Sequence, residues 1–329
     1  MNNQSAHTSP ALRCQLEHKG IVHVATFNHG AQYVLTGGQD RTIRLWNAKT
    51  GNFIKDYSAH GYEILGIAVR VESVISVECD ARSYTENGDL FVDSSPNNSF
   101  LGSVGGDRSV FYWDVSTGTV LRRFSGHTGV INACSFNFDG NLLISGSFDA
   151  SVRIWDLKSQ QRHPIQIFQD AKDSITSIIA SGSEFIIGSV DGYVRSYDVR
   201  MGQMMEDYFE DPVTSIHLLK DSKTMVVSTL NSTIRLMDRE RGEMLQKFTG
   251  HRAQNYRSRI SMSYDEAQVL AGDEDGLLWA WDLESGKRNA GMSFDAHQKH
   301  VTWVECHPKA NCFITAAADG LTKLWDLGK

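Results

Sequence analysis

The chain has 329 residues, of which 41% are apolar and 22% charged, a balance that sets aside disorder and gives ample material for a core. A formal net charge of -7 provides no long-range attraction for a polyanion, which argues against nucleic acid or an anionic membrane as the main partner. With 5 Pro against 28 Gly and 10% aromatic residues, the composition favours short ordered elements joined by tight turns, and β structure over helix.

Residues 1–10, MNNQSAHTSP, are polar and lack a charged stretch followed by an apolar run, so they read as a disordered tail rather than a secretory signal. No apolar run approaches the ~18 residues that span a bilayer. Five cysteines, Cys14, Cys79, Cys134, Cys306 and Cys312, form no CxxC pair and fit a reduced compartment better than a disulfide framework or zinc site. Cytoplasmic and nuclear placement is expected, with no cofactor and no metal.

From Ala11 onward one pattern recurs, an acidic or amide residue six positions before an aromatic one. The pairs are Asp40 and Trp46, Asp107 and Trp113, Asp149 and Trp155, Asp191 and Tyr197, Asn231 and Met237 (a Met substitute), Asp275 and Trp281, and Asp319 and Trp325. Successive units lie 67, 42, 42, 40, 44 and 44 residues apart, so the first interval holds an insertion of about 25 residues. Within each unit, short alternating runs such as VINACSF, LLISGS and SVRIWD are broken by turn residues, which predicts several strands per unit and no helix of useful length. The insertion, about residues 70–100, falls between the first two strands of the second unit and is rich in carboxylates, which suits either a basic partner or a solvated extension.

Through GHTGVINACSFNFDGNLLISGSFDASVRIWD and AHQKHVTWVECHPKANCFITAAADGLTKLWD the chain resembles the WD40 repeat family. That resemblance implies an all-β fold, a seven-bladed WD40 β-propeller occupying 11–329 as a single domain. The last unit stops just after its Trp-Asp pair, and ALRCQLEHKG near the start aligns with VLRRFSGHTG, so the N-terminal strand is predicted to complete the seventh blade and close the ring.

The repeat also supplies Ser, His and Asp together, which raises the question of catalysis. The family pattern implies instead a hydrogen-bonded set in each blade: His18, Thr36, Asp40 and Trp46; His60, Ser103, Asp107 and Trp113; His127, Ser145, Asp149 and Trp155; and His297, Thr315, Asp319 and Trp325. A hydrolase needs one triad with an exposed nucleophile and an oxyanion hole, whereas four near-identical sets ending on an indole suit a scaffold. No enzymatic activity and no catalytic residue are therefore expected. Blades 4, 5 and 6 depart from the pattern at Ile187 and Tyr197, at Val227, Asn231 and Met237, and at Ala271. Blades 4 and 5, which also lack the Gly-His pair, are expected to rest on apolar packing and to open most easily.

The family pattern places three positions per blade at the channel entrance, among them Gln39, Val130, Asn132, Val190, Ser258 and His300. The partner-binding candidates among these positions are Phe148, Leu65, Glu63, Leu230, Tyr256 and Glu274, with Phe148 foremost because an aromatic ring on a solvent-facing rim suits a hot spot. The stretches DGYVRSYDVRMGQ and TIRLMDRERGE, where blades 4 and 5 depart from the general repeat, are similar to the mitogen-activated protein kinase organizer proteins. That resemblance implies a protein-interaction scaffold, a monomeric propeller within larger complexes, that gathers kinase-cascade components or associates with the spliceosome during pre-mRNA splicing. The alternative is a substrate-recognition subunit of a ubiquitin ligase or chromatin complex.

Overall fold

The computed structural model describes residues 10–28, 30–70 and 100–327. The expectations for the tail and for most of the 70–100 insertion concern residues outside these. Among the described residues the regular structure is entirely strand, arranged as seven four-stranded antiparallel sheets. Six sheets are consecutive in sequence, and in blade 3 the order from the channel outward is Ile131–Phe136, Leu142–Ser147, Val152–Asp156 and Gln166–Phe168.

The seventh sheet joins the two ends of the chain. Its inner strands are Val301–Cys306, Cys312–Ala317 and Leu321–Asp326, and its outermost strand is Ala11–Glu17. The pairing sets Leu12 opposite Trp325 and Leu16 opposite Thr322, and the His18 amide donates to the Gly320 carbonyl at 2.9 Å. Closure removes the open edges that a linear array of sheets would leave.

Each unit is shaped by its second turn. The residue after the turn Asp or Asn has a left-handed backbone in all seven blades: Arg41, Arg108, Ala150, Gly192, Ser232, Gly276 and Gly320. The Asp side chain accepts the amide two residues on, as in Ser151 to Asp149 at 3.0 Å and Leu321 to Asp319 at 3.0 Å, which explains why a short acidic residue recurs there. Neighbouring blades then interlock through their inner strands. A Cβ on Gly146 would lie 2.5 Å from Ile175 of the next blade, and one on Gly272 would lie 2.3 Å from Val301. Both isoleucine and valine are buried, at 0% and 1% exposure, so each blade leaves a gap that the next one fills.

Candidate functional site

The four Ser/His/Asp/Trp sets are built alike. In blade 3 the Trp155 indole donates to Ser145 Oγ at 2.8 Å, His127 Nε2 lies 2.8 Å from the same oxygen, and His127 Nδ1 lies 3.0 Å from Asp149 Oδ2. In blade 1 the corresponding distances are 2.8 Å from Trp46 to Thr36, 2.6 Å from His18 to Thr36 and 3.0 Å from His18 to Asp40. Blade 7 repeats them at 2.9, 2.7 and 3.0 Å through Trp325, Thr315, His297 and Asp319. In blade 2 Trp113 and His60 meet Ser103 at 2.8 and 2.7 Å, and His60 meets Asp107 at its other nitrogen.

Proton bookkeeping fixes the direction of these bonds. The indole can only donate, so the hydroxyl accepts from it and gives its own proton to His Nε2, leaving Nδ1–H to donate to the carboxylate. Burial lowers His60 and His127, against the pull of their Asp partners, so both are neutral near pH 7. Burial alone would raise Asp40, but the hydrogen bond from His18, the Arg44 guanidinium and the Thr42 amide outweigh it and hold the carboxyl at about 2. The hydroxyls of Thr36, Ser103, Ser145 and Thr315 belong to residues with 0% exposure, so none can reach a substrate. Their chemistry is internal: each set ties the second and third strands of a blade to the loop that enters it.

The three other blades are locked differently, and the expectation of purely apolar packing in blades 4 and 5 is corrected. In blade 4, Ala171 stands where most units place His, and Asp191 turns to Arg195, 3.0 Å away and 2% exposed, while Tyr197 donates to Asp170 at 3.1 Å. In blade 5, Phe209 fills the His slot, Thr229 donates to Asn231 at 2.7 Å, and Arg235 donates to Thr229 at 3.0 Å. In blade 6, Ala271 offers no hydroxyl, so Trp281 donates to the Thr249 carbonyl at 3.1 Å. His251 packs edge-on against that indole, 5.3 Å between centroids, with its Nδ1 unpaired among the described residues.

The channel mouth lies at the end of the ring that carries the His-Asp pairs. Phe148 is 66% exposed, its amide held by the Val130 carbonyl at 2.8 Å, so the ring projects outward. Tyr62, 63% exposed in the loop after His60 of the adjacent blade, was not among the sequence candidates. Its signal was present in SAHGYEIL, but the position lies one residue before the expected channel set. Leu65 lines the mouth and Leu230 is half-buried. Glu63 meets His23 Nε2 at 3.1 Å, and Tyr256, 53% exposed, stacks on His300 with centroids 4.3 Å apart and planes 8° apart.

Blade 6 departs most at this end. In blade 3 the Phe148 amide bonds the residue before the buried anchor Ile131; the equivalent bond in blade 6 runs from Glu274 N to Arg252 O at 3.0 Å, so buried Ala253 is the anchor. Residues 254–258 therefore form an excursion before the strand resumes at Ile260–Met262. Glu274 is a partner-binding candidate by position, but its carboxylate is turned to its own chain. Oε1 accepts the amides of Gln254 at 2.6 Å and Tyr256 at 3.2 Å as well as that of Asn255, and Oε2 accepts Asn255 Nδ2 at 3.0 Å. Desolvation pushes that carboxyl up, yet these donors bring it down to about 2. The excursion also shifts the phase: Ser258 is buried, and Arg257 and Arg259 face the channel in its place. Two alternating arginines in YRSRI were the available signal, and only the bulge turns them inward.

The family pattern "WD domain, G-beta repeat" matches residues 10–47, 118–156 and 289–326, which contain three of the four complete hydrogen-bonded sets; the fourth, in blade 2, is interrupted by the insertion. The chain is 32% identical to the WD repeat domain-containing protein 83 homolog of Dictyostelium discoideum, covering 94% of this chain and 95% of that protein. It is 36% identical to WD repeat domain-containing protein 83 of Homo sapiens, over 93% of this chain and 89% of that one. An uncharacterized WD repeat-containing protein of Schizosaccharomyces pombe is 38% identical, over 92% and 93% of the two chains. With closure, repeat pattern and near full-length likeness in agreement, the chain belongs to the WD repeat domain-containing protein 83 family of WD40 β-propellers.

Proposed function

We propose that this protein is a non-enzymatic scaffold that docks partner proteins on the face around the channel mouth. The observation that carries the reading is the pair of outward aromatic rings on adjacent blades, Tyr62 at 63% and Phe148 at 66% exposure, on a fold whose Ser/His/Asp sets are sealed inside. Large rigid rings with few rotors lose little entropy on binding and suit interface anchors. By its likeness to the mitogen-activated protein kinase organizer proteins, the partners are kinase-cascade components, spliceosomal proteins in pre-mRNA splicing, or both, met in the cytoplasm and nucleus. The test is affinity purification with wild-type protein and with Phe148→Ala and Tyr62→Ala. Both variants should fold normally and lose partners; recovery of splicing proteins without kinases, or the reverse, separates the two roles. Undiminished capture by the double variant would overturn the choice of face.

A further inference from the structure

The channel mouth is an opening of about 380 Å³ whose lining includes His23, Asn132, Arg257, Arg259, His300 and Trp303. Among the described residues its permanently charged lining groups are the two arginines, in a chain whose net charge is -7. Burial lowers both His23 and His300, so neither carries the charge. Arg259 also borders the opening at the opposite end of the channel.

Neither guanidinium has a carboxylate within ion-pair distance among the described residues. Arg257 crosses the channel from blade 6 and, among the described residues, donates only to the Asn132 backbone carbonyl, at 3.3 Å. Arg259 makes no side-chain hydrogen bond among the described residues and lies over the Trp303 ring at 4.2 Å. Glu305, whose charge Arg259 feels, is occupied by Thr26 Oγ1 at 2.8 Å, the Phe27 amide at 3.0 Å and the Trp303 indole at 3.3 Å. Arg195 and Arg239, elsewhere in the ring, pair instead with Asp191 at 3.0 Å and with Glu184 at 2.7 Å. Two unmatched forks therefore face one cavity, one of them lying over an indole and the other carried on a bulge that Glu274 holds in place.

We propose that Arg257 and Arg259 form a subsite for a phosphate monoester, the phosphorylated side chain of a partner segment entering from the aromatic face. A phosphomonoester carries a charge of about -1.5 to -2 near pH 7 and several acceptor oxygens, which match two guanidinium forks, whereas a carboxylate satisfies one. The inference rests on the docking face argued above.

The full-length protein is titrated at fixed ionic strength with inorganic phosphate and with acetate, followed by thermal shift and 31P line broadening. Phosphate should raise Tm saturably and broaden, acetate should not, and Arg257→Gln or Arg259→Gln should weaken phosphate binding at least tenfold. Arg257→Lys, which keeps charge but not the fork, should fall between. Absence of 31P broadening with wild-type protein, or equal phosphate binding by the double Gln variant, would overturn the subsite, and the first of these needs no variant to fold. A phosphoserine peptide should bind at least tenfold more tightly than glucose 6-phosphate; equal affinity would overturn a protein side chain as the source. Loss of phosphate binding with partner capture intact would leave the docking face standing, and capture lost only in the Phe148 and Tyr62 variants tests that face separately.

Discussion

Replacing Leu16 by Ala tests ring closure within a single strand. Leu16 is 1% exposed, and it packs into the same core cluster as Ile43, Ile314 and Leu324, joining blade 1 to blade 7. Truncating a leucine so enclosed costs about 3 kcal/mol, the lost transfer term plus a cavity. Leu12 lies on the same strand but is 49% exposed, so Leu12→Ala should cost well under ~1 kcal/mol. Both changes are equal in chemistry, and burial is the main difference between the two positions. For a chain of 329 residues the Leu16 change corresponds to a fall in Tm of roughly 4 °C. Removing residues 1–17 takes away the whole pairing with Leu321–Asp326 and should lower Tm far more and broaden the transition. Urea and thermal unfolding followed by tryptophan fluorescence and circular dichroism read all three. Equal effects of the Leu12 and Leu16 changes, or a truncated protein that melts cooperatively at the full-length temperature, would refute closure by this strand.

Ser145→Ala orphans the Trp155 indole N–H and the His127 ring, and should cost about 1 to 3 kcal/mol in urea unfolding; an unchanged midpoint would show that the set adds nothing to stability. His251 is lowered to about 4 by burial alone, so the folded state disfavours its proton. Its contribution is fully present above the unfolded value of about 6.5, is lost as pH falls through that value towards 4, and amounts to on the order of 3 kcal/mol. His251→Phe should therefore flatten the stability profile between pH 7 and pH 4 relative to wild type, and an identical slope would contradict the assignment. Glu274→Ala releases three backbone amides and should speed hydrogen exchange and proteolysis within residues 254–258 while shifting Tm little; unchanged exchange there would remove Glu274 from its positioning role.

The seven-unit period, the all-β character and the closing N-terminal strand could be read along the chain, because each unit's strands and turns are consecutive and repeat at nearly fixed spacing. The hydrogen-bonded sets are legible for the same reason: His127, Ser145, Asp149 and Trp155 all belong to one blade and its entering loop, so spacing alone groups them. Tertiary structure decided what depends on a neighbour or on phase. Asp191 with Arg195 and Tyr197 with Asp170 replace the usual set by contacts that no repeat pattern encodes, and so blade 4 is polar where the sequence suggested apolar packing. Glu274 looks free in sequence, yet the excursion at 254–258 brings three amides to its carboxylate. The same excursion turns Arg257 and Arg259 into the channel in place of Ser258. Side chains in a strand alternate between faces, so a bulge exchanges which residues meet the cavity, and its length and return point are set only when the ring closes around them.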